Sequence, residues 1–581
     1  MDNFDTYFNE RKIIKLISKY RIAVANKRHD IHILNGIRVK QNTIDPIEKT
    51  RNKIDEIILK IVPPRRKWVK FSKKNRDSYE NSSKLSIARL EKAILFYHNK
   101  VKKGKESEVQ PWYIELQIFL KEIKEVLNNL ENYKIKEPII LREKKDNDGK
   151  PKDPYRPIAH YKYLIDKIII GQTAKYLTDN LDSELCHSAV YAFRSTKGKE
   201  NPITHHDTVT RIQEYLEKNK GNELWVSECD IKKFYDCVNH DIAKKSLKEI
   251  SERLKDRTGI KINNNAFIIF DKYLDSYSFN YLVYPKNETD EMKDINGIYA
   301  WEEEELKSEF YNNGIHENIG VPQGGAISCL IANLVLDKVD RAIISTIDKD
   351  DDNLLYMRYC DDMILIHPNK QQCEKSLEAY MKALNECNLL CHKPIPINKY
   401  TKEFWKSKSK LPYNWGKKSE GKVPWLSFVG YQIRYDSCVR IRKKSIKKEI
   451  SKQKKIISSI EHALNIKEKN KLNFNSRITK KQLLYRAEQK LIAISVGRVN
   501  LRNSKETVGL KPSWTIGFKK LNRNYIVEKQ LKILDRSRTK AIHSLRMKLS
   551  KLKLDHKGKG KKMTERYFGS PFSYHNFILK K

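Results

Sequence analysis

Residues 354–366 read LLYMRYCDDMILI, and this stretch decides the fold. Two short apolar runs, Leu354–Met357 and Met363–Ile366, flank the string Tyr359-Cys360-Asp361-Asp362. Runs of this length with β-branched and aromatic residues favour strands, and a short polar break between them favours a tight reversal. The segment is therefore expected to form a β-hairpin with two acids at its tip. Taken alone, Asp361-Asp362 has a plainer reading as a solvated turn. What stands upstream decides between the two.

Two further segments complete the pattern. Residues 224–236 pass from the apolar run Leu224-Trp225-Val226 to Cys229-Asp230-Ile231-Lys232-Lys233-Phe234-Tyr235-Asp236. Asp230 should sit at a strand end, with the aromatic Tyr235 five residues later. Residues 320–325, Gly-Val-Pro-Gln-Gly-Gly, form a glycine-rich turn before the apolar helical run Ile327–Leu336. In chain order these give a strand-end acid, a Pro-Gln-Gly turn opening a helix, and a hairpin tipped with Asp-Asp. Carboxylates gathered on rigid elements suit hard divalent cations that share phosphate oxygens with a substrate. Two such ions about 3.5–4 Å apart support in-line attack on a phosphate. Adjacent acids repel one another, and a divalent ion offsets that cost.

Bulk properties agree with a polyanionic partner. The 581 residues carry 116 Lys+Arg against 73 Asp+Glu, a net charge of +43. Residues 441–581 alone hold 39 basic against 9 acidic residues, a surplus of 30. An excess concentrated in one quarter of the chain is an electrostatic footprint for nucleic acid. A merely soluble basic surface would spread it more evenly. No apolar run approaches the ~20 residues needed to span a bilayer, and the N-terminus lacks a basic-then-apolar signal. Nine scattered cysteines fit a reducing, cytoplasmic setting. Cys387, Cys391 and His392 come nearest to a zinc cluster, but no second half follows, and they read as helix-face packing residues.

The texture divides the chain in three. Residues 1–135 are polar and helical: Ile87, Leu90, Ile94 and Tyr97 recur at helical spacing, as do Leu116, Phe119, Ile123, Val126 and Leu130 in a helix that Pro111 could open. Residues 136–440 mix helical patterns with short strand-like runs, including Leu224–Ser227, Leu355–Tyr359, Met363–His367 and Ser427–Arg434, so an α+β fold with an antiparallel sheet is expected. Within it, about 284–318 is acidic and turn-rich and reads as a surface insertion. Residues 441–581 are basic and mostly helical, with the stripe Leu483, Leu484, Ala487, Leu491, Ile494. Near the end, Tyr567, Phe568, Phe572, Tyr574 and Phe577 follow a basic loop. They could stack on bases or dock the C-terminus onto the protein.

The three acidic and glycine-rich segments resemble motifs A, B and C of reverse transcriptases in the group II intron, retron and bacterial lineage. Similar matches lie outward: Tyr155-Arg156-Pro157-Ile158 with Asp166 and Ile168–Ile170, then Tyr191-Ala192-Phe193-Arg194, and Phe428-Val429-Gly430-Tyr431 in the manner of a primer-grip turn. The resemblance spans about residues 136–440. It implies a right-hand polymerase fold, with fingers and palm on the antiparallel sheet, a helical N-terminal extension and a basic helical thumb and C-terminal region.

That resemblance also implies roles. Asp230, Asp361 and Asp362 would hold two Mg²⁺ ions, with Mn²⁺ as a substitute. Tyr235 would be a steric gate against a ribose 2′-hydroxyl; it could equally be a core aromatic. Gln323 and Gly324 would seat the incoming dNTP. Arg156, with Lys144 or Lys145, would clamp the triphosphate. Phe428, Gly430 and Tyr431 would grip the primer. A motif D lysine is expected after Leu390, where Lys399 and Lys402 both fit. The pair His205-His206 reads as loop. The form Gly320–Ser328 and the run Val439–Ser445 look most like freestanding bacterial enzymes of the "unknown group", many of them defence-associated. The implied activity is RNA-directed DNA synthesis with a structured non-coding RNA as template or partner, with template and primer nucleic acid and dNTPs bound, no membrane, and a homo-oligomer possible. An intron-type maturase and a silent RNA-binding scaffold are the other readings; a scaffold has no need of mutually repelling acids.

Overall fold

A computed structural model describes residues 3–35, 56–79, 82–144, 155–283, 318–347, 353–397, 401–469, 480–496, 514–551 and 570–573. The acidic stretch 284–317, Lys145, Lys399 and the aromatics Tyr567, Phe568, Tyr574 and Phe577 lie outside the described residues. The chain divides into two compact units, one of Met1–Asn9 with Leu120–Cys438, the other of Glu10–Phe119 with Val439–Lys581. Thus the first nine residues and the stretch from Leu120 to residue 135 group with the α+β body, although the polar helical texture of the sequence runs unbroken to residue 135.

The first unit is built on a four-stranded antiparallel sheet. Its strands are β3 (Trp225–Asp230), β4 (Leu355–Tyr359), β5 (Asp362–His367) and β6 (Lys410–Asn414), in the spatial order β4-β5-β3-β6. β4 and β5 are buried nearly end to end, which explains their continuous apolar runs where an exposed hairpin would alternate. The Lys370–Glu386 helix lies against β3, β5 and β6. Behind it the Ala326–Ile344 helix packs on the Leu164–Leu181 and His240–Thr258 helices. Ile327, Ile331, Leu336 and Val339 are fully buried there. On the other side the His205–Lys218 helix meets β4, where the Tyr215 hydroxyl donates to the Asn353 carbonyl at 2.6 Å.

Upstream, β1 (Ile139–Lys144) pairs antiparallel with β2 (Tyr155–His160). Downstream, β7 (Trp425–Phe428) and β8 (Tyr431–Arg434) form a hairpin. The run Ser427–Arg434 is therefore two strands turning at Val429–Gly430, not one. Both turn residues have positive φ, 42° and 89°, as a type I′ reversal requires. At the N-terminus Phe4, Tyr7 and Phe8 are buried in this unit's core, with Phe4 edge-on to Tyr176 at 5.2 Å.

The second unit is helical. Helices Glu10–Asn35 and Ser82–Lys102 pack together, the latter burying Leu90 and Ile94. The long helices Lys443–Lys469 and Tyr525–Lys551 pack side by side with Lys480–Val496 around Ile457, Ile460, Leu464, Leu483, Leu484, Leu491 and Leu545. Phe572 settles its own alternative: it is fully buried, 5.4 Å from the Trp514 ring, and its backbone N–H donates to Asp535 Oδ1 at 2.9 Å. It docks the tail. Among the described residues no helix is long and apolar enough to cross a membrane.

Candidate active site

The three acids converge on one end of the central sheet. Asp230 closes β3 and Asp362 opens β5, and they are direct cross-strand partners. Such partners have Cα atoms about 4.5–5.5 Å apart and side chains on the same face. Asp361 occupies the two-residue reversal Cys360-Asp361 between Tyr359 and Asp362. Cys360 has φ +62°, a conformation glycine normally takes at such a turn. The hairpin and strand-end acid read from the sequence are therefore present, and they meet although 130 residues of sequence separate Asp230 from Asp361.

Burial, and next the negative charge of Asp230, push the Asp361 carboxyl above the ordinary carboxylate range. Asp230 Oδ2 is met by Lys408 Nζ at 2.7 Å, with His392 Nε2 at 3.7 Å. Its backbone N–H donates to Ser409 Oγ at 3.0 Å. The donor set fits a hard divalent cation: hard oxygens from carboxylates that repel one another, with a lysine ammonium on the inner one. Among the described residues no three or more carboxylate, His or Cys side chains form a ready-made cage. Ions of the Mg²⁺ type draw much of their shell from water and substrate phosphates, so two or three carboxylates suffice.

Around the acids the polypeptide is tied tightly. After Asp230, Lys233 turns the chain at φ +46° and delivers Tyr235, whose hydroxyl lies 3.1 Å from Cys360 Sγ. Burial and then Cys360 raise the Tyr235 pKa, so the phenol stays protonated. Burial, and next Asp361, push the Cys360 thiol up to about 12. The glycine-rich turn is stitched to this loop: Gly320 N–H donates to the Val238 carbonyl at 2.8 Å and Val321 N–H to that of Tyr235 at 2.7 Å. Gly320 takes φ +86°, and a Cβ there would meet Phe279 Cβ at 2.8 Å. Gln323 donates through Nε2 to Asp236 Oδ1 at 2.6 Å, and its carbonyl accepts from Ala159 N–H of β2 at 3.0 Å. Gly324 has φ +93° and lies beside Ile158. Gln323 thus links the strand carrying Arg156 to the loop carrying Tyr235. Arg156 itself is exposed on β2, opposite Glu143.

Several participants escaped the sequence reading. Arg358, inside β4, is fully buried, as is Asp340. Its Nε and Nη2 donate to the two carboxylate oxygens of Asp340 at 2.8 and 2.6 Å, and Nη1 donates to the Cys360 carbonyl at 3.0 Å. Tyr356 adds a hydroxyl to Asp340 Oδ1 at 2.6 Å. Burial alone would lower the guanidinium pKa; the Asp340 charge and hydrogen bonds reverse that and raise it. The available signal was an Arg in an otherwise apolar strand and an Asp in an apolar helix, each improbable unless paired.

His392 is the second case. With Cys391 it lies on a segment running antiparallel to Ile231, not on a helix face. Its backbone N–H donates to the Asp230 carbonyl at 2.9 Å. Cys387 is buried where the Lys370–Glu386 helix ends. The pair His205-His206 is likewise no loop: it opens the His205–Lys218 helix behind the capping box of Thr204 and Asp207. His206 Nδ1 is 2.9 Å from the Tyr431 hydroxyl, and the His205 ring lies 6.3 Å from both Tyr359 and Tyr431. Phe428 and Tyr431 are buried, while the Val429–Gly430 turn between them is half-buried.

A strand-end acid, a hairpin-borne acid pair and a glycine-rich turn thus meet at one end of an antiparallel sheet. Residues 143–394 match the family model "Reverse transcriptase (RNA-dependent DNA polymerase)", so this segment is a reverse transcriptase domain and the chain an RNA-directed DNA polymerase, a nucleotidyltransferase. That family uses divalent metal ions. Solved structures similar to the chain include apo telomerase from Candida tropicalis (13% identity, 94% of this chain and 82% of that one, TM-score 0.34). Telomerase from Candida albicans bound to a fragment of telomeric RNA is another (12% identity, 84% and 79%, TM-score 0.31). No curated protein sequence matches the chain.

Proposed function

We propose that this chain copies a structured non-coding RNA into DNA in bacterial anti-phage defence, with Asp230, Asp361 and Asp362 holding two Mg²⁺ ions. The observation that carries the catalytic part is the pairing of Asp230 with Asp362 beside Asp361, whose carboxyl feels the charge of Asp230. Bound there, the ions would activate a primer 3′-hydroxyl and stabilise the leaving pyrophosphate. The chain's own residues do the positioning. Tyr235, held against Cys360, excludes a ribose 2′-hydroxyl. Gln323 and Gly324 seat the dNTP base pair on a turn anchored to both β2 and the Tyr235 loop. Arg156, on β2, meets the triphosphate, with Lys145 as a second cation for it. The Val429–Gly430 turn, braced by Phe428 and Tyr431 underneath, supports the primer through backbone contacts.

The RNA partner rests on charge: a surplus of 30 in residues 441–581 suits binding through the phosphate backbone. The defence role rests on the resemblance of the Gly320–Ser328 and Val439–Ser445 segments to freestanding defence enzymes. Protein purified with its co-purifying RNA, supplied with Mg²⁺ and labelled dNTPs, should make DNA whose sequence complements that RNA. Cells carrying the locus should restrict phage plating, and Asp361→Asn should abolish both. DNA synthesis without phage restriction would remove the defence reading and leave the polymerase.

A further inference from the structure

The Tyr191-Ala192-Phe193-Arg194 element lies outside the acid cluster, yet it holds a costly conformation. Phe193 has φ +57°, a region that bulky side chains rarely enter. Among the described residues six non-glycine positions have positive φ. Asn388 and Ser437 are small polar residues, and Asn in particular tolerates it. The other four are Lys233, three residues after Asp230; Cys360, beside Asp361; Val429, in the β7–β8 hairpin; and Phe193. Strain of this kind costs of the order of 1–3 kcal/mol per residue and persists where the surroundings over-determine it, characteristically at functional sites.

The surroundings of Phe193 do over-determine it. Tyr191 N–H donates to the Arg358 carbonyl at 3.0 Å. The Ala192 carbonyl accepts from Asn333 Nδ2 at 2.9 Å. Arg194 is buried, its Nε and Nη2 on the two Asp182 oxygens at 2.6 and 3.1 Å, and Ser195 N–H donates to the same carboxylate at 2.9 Å. Both neighbours of Phe193 are thus fixed inside the protein while Phe193 itself is 40% exposed. The fixing leads to the catalytic turn: Asn333 Oδ1 accepts from Arg358 Nη1 at 3.3 Å, and the same Nη1 holds the Cys360 carbonyl. An aromatic ring is therefore forced outward, at a rigid distance of a few hydrogen bonds from the catalytic acids.

We infer that Phe193 is a stacking platform for an unpaired template nucleobase next to the site of synthesis. This rests on the polymerase reading and deepens it. A planar apolar ring on a rigid mount suits any base face, so the contact is independent of sequence and adds to backbone binding.

The test uses the full-length protein and a set of RNA templates annealed to a DNA primer, each with one abasic position in the unpaired stretch. Phe193→Gly and Phe193→Ala are compared with Phe193→Tyr. Phe193→Gly relieves the positive φ and should melt no lower than the parent. It should nevertheless bind template about tenfold more weakly, the scale of one stacked base. Phe193→Tyr should retain parental affinity. At one abasic position the parent should lose that same factor and Phe193→Ala should lose nothing further, because the ring and the base are one interaction. Parent and variants weakening in parallel at every abasic position, or a change in KM for dNTP with template affinity untouched, would overturn the inference. If the parent makes no DNA but the abasic pattern holds, the polymerase reading fails and the platform stands.

Discussion

Arg358 and Asp340 form a two-pronged ion pair with neither residue exposed, and the remaining arm of the guanidinium holds the carbonyl of Cys360. The backbone that presents Asp361 is thereby referenced to the Ala326–Ile344 helix. Breaking a buried pair from one side strands a charge and costs about 3–5 kcal/mol. Arg358→Ala or Asp340→Ala should lower the melting temperature accordingly. The double variant Arg358→Met, Asp340→Leu should recover most of that stability without recovering DNA synthesis, because nothing then holds Cys360. Activity returning together with stability would show the pair to be structural only.

Gly325 is required by packing. A Cβ there would fall on the Tyr273 hydroxyl, which is fully buried and bonded to Ser328 Oγ at 2.7 Å. Gly325→Ala should destabilise by about 1–3 kcal/mol, the usual cost of overpacking. Adding Tyr273→Phe should restore part of that in a thermal melt, since the clashing atom is gone.

Tyr235 is tested by its sugar preference. Tyr235→Ala should lower the ratio of kcat/KM for dNTPs over rNTPs by about 10- to 100-fold, the range that a steric contact of this size controls. Tyr235→Phe keeps the ring, loses only the bond to Cys360 Sγ, and should keep most of the discrimination. An unchanged ratio in Tyr235→Ala would assign the ring to the core alone.

Glu449 supplies a pH dependence. It is buried on the Lys443–Lys469 helix with Oε1 lacking a hydrogen-bond partner, and burial raises its pKa to about 7 against the pull of Lys452. A carboxyl whose folded pKa exceeds its unfolded one binds its proton more tightly when folded. Its penalty is absent below the unfolded pKa, near 4.5, and complete above about 7, so stability falls as pH rises through that window. The full penalty is about 3 kcal/mol. Denaturant melts should show Glu449→Gln gaining over the parent at pH 8 and matching it at pH 4.5.

How much of this was legible in the sequence follows from what each element depends on. The hairpin of β4 and β5 could be read because both strands are buried on both faces and leave unbroken apolar runs. The Pro111–Asn128 helix could be read because its stripe of Leu116, Phe119 and Ile123 is local. Lys408 beside Asp230, Gln323 on Asp236, His206 under Tyr431 and Arg358 on Asp340 could not. Each joins segments with no periodicity between them, and a polar side chain gives no sign of its partner until the sheet is assembled. Likewise Phe193 and Val429 look like ordinary apolar residues, since a left-handed backbone at a bulky residue is imposed from outside it.

Primer extension on an RNA template, with Mg²⁺ and dNTPs, measured on the parent and on Asp230→Asn and Asp361→Asn, tests the central claim most directly. The parent should extend the primer, and chelation of the metal should abolish extension. Either variant should lose at least about a thousandfold, with folding intact and the metal-free Asp361→Asn protein melting no lower, since one of two repelling charges is gone. Extension at the parental rate in a well-folded Asp230→Asn or Asp361→Asn protein would contradict that claim.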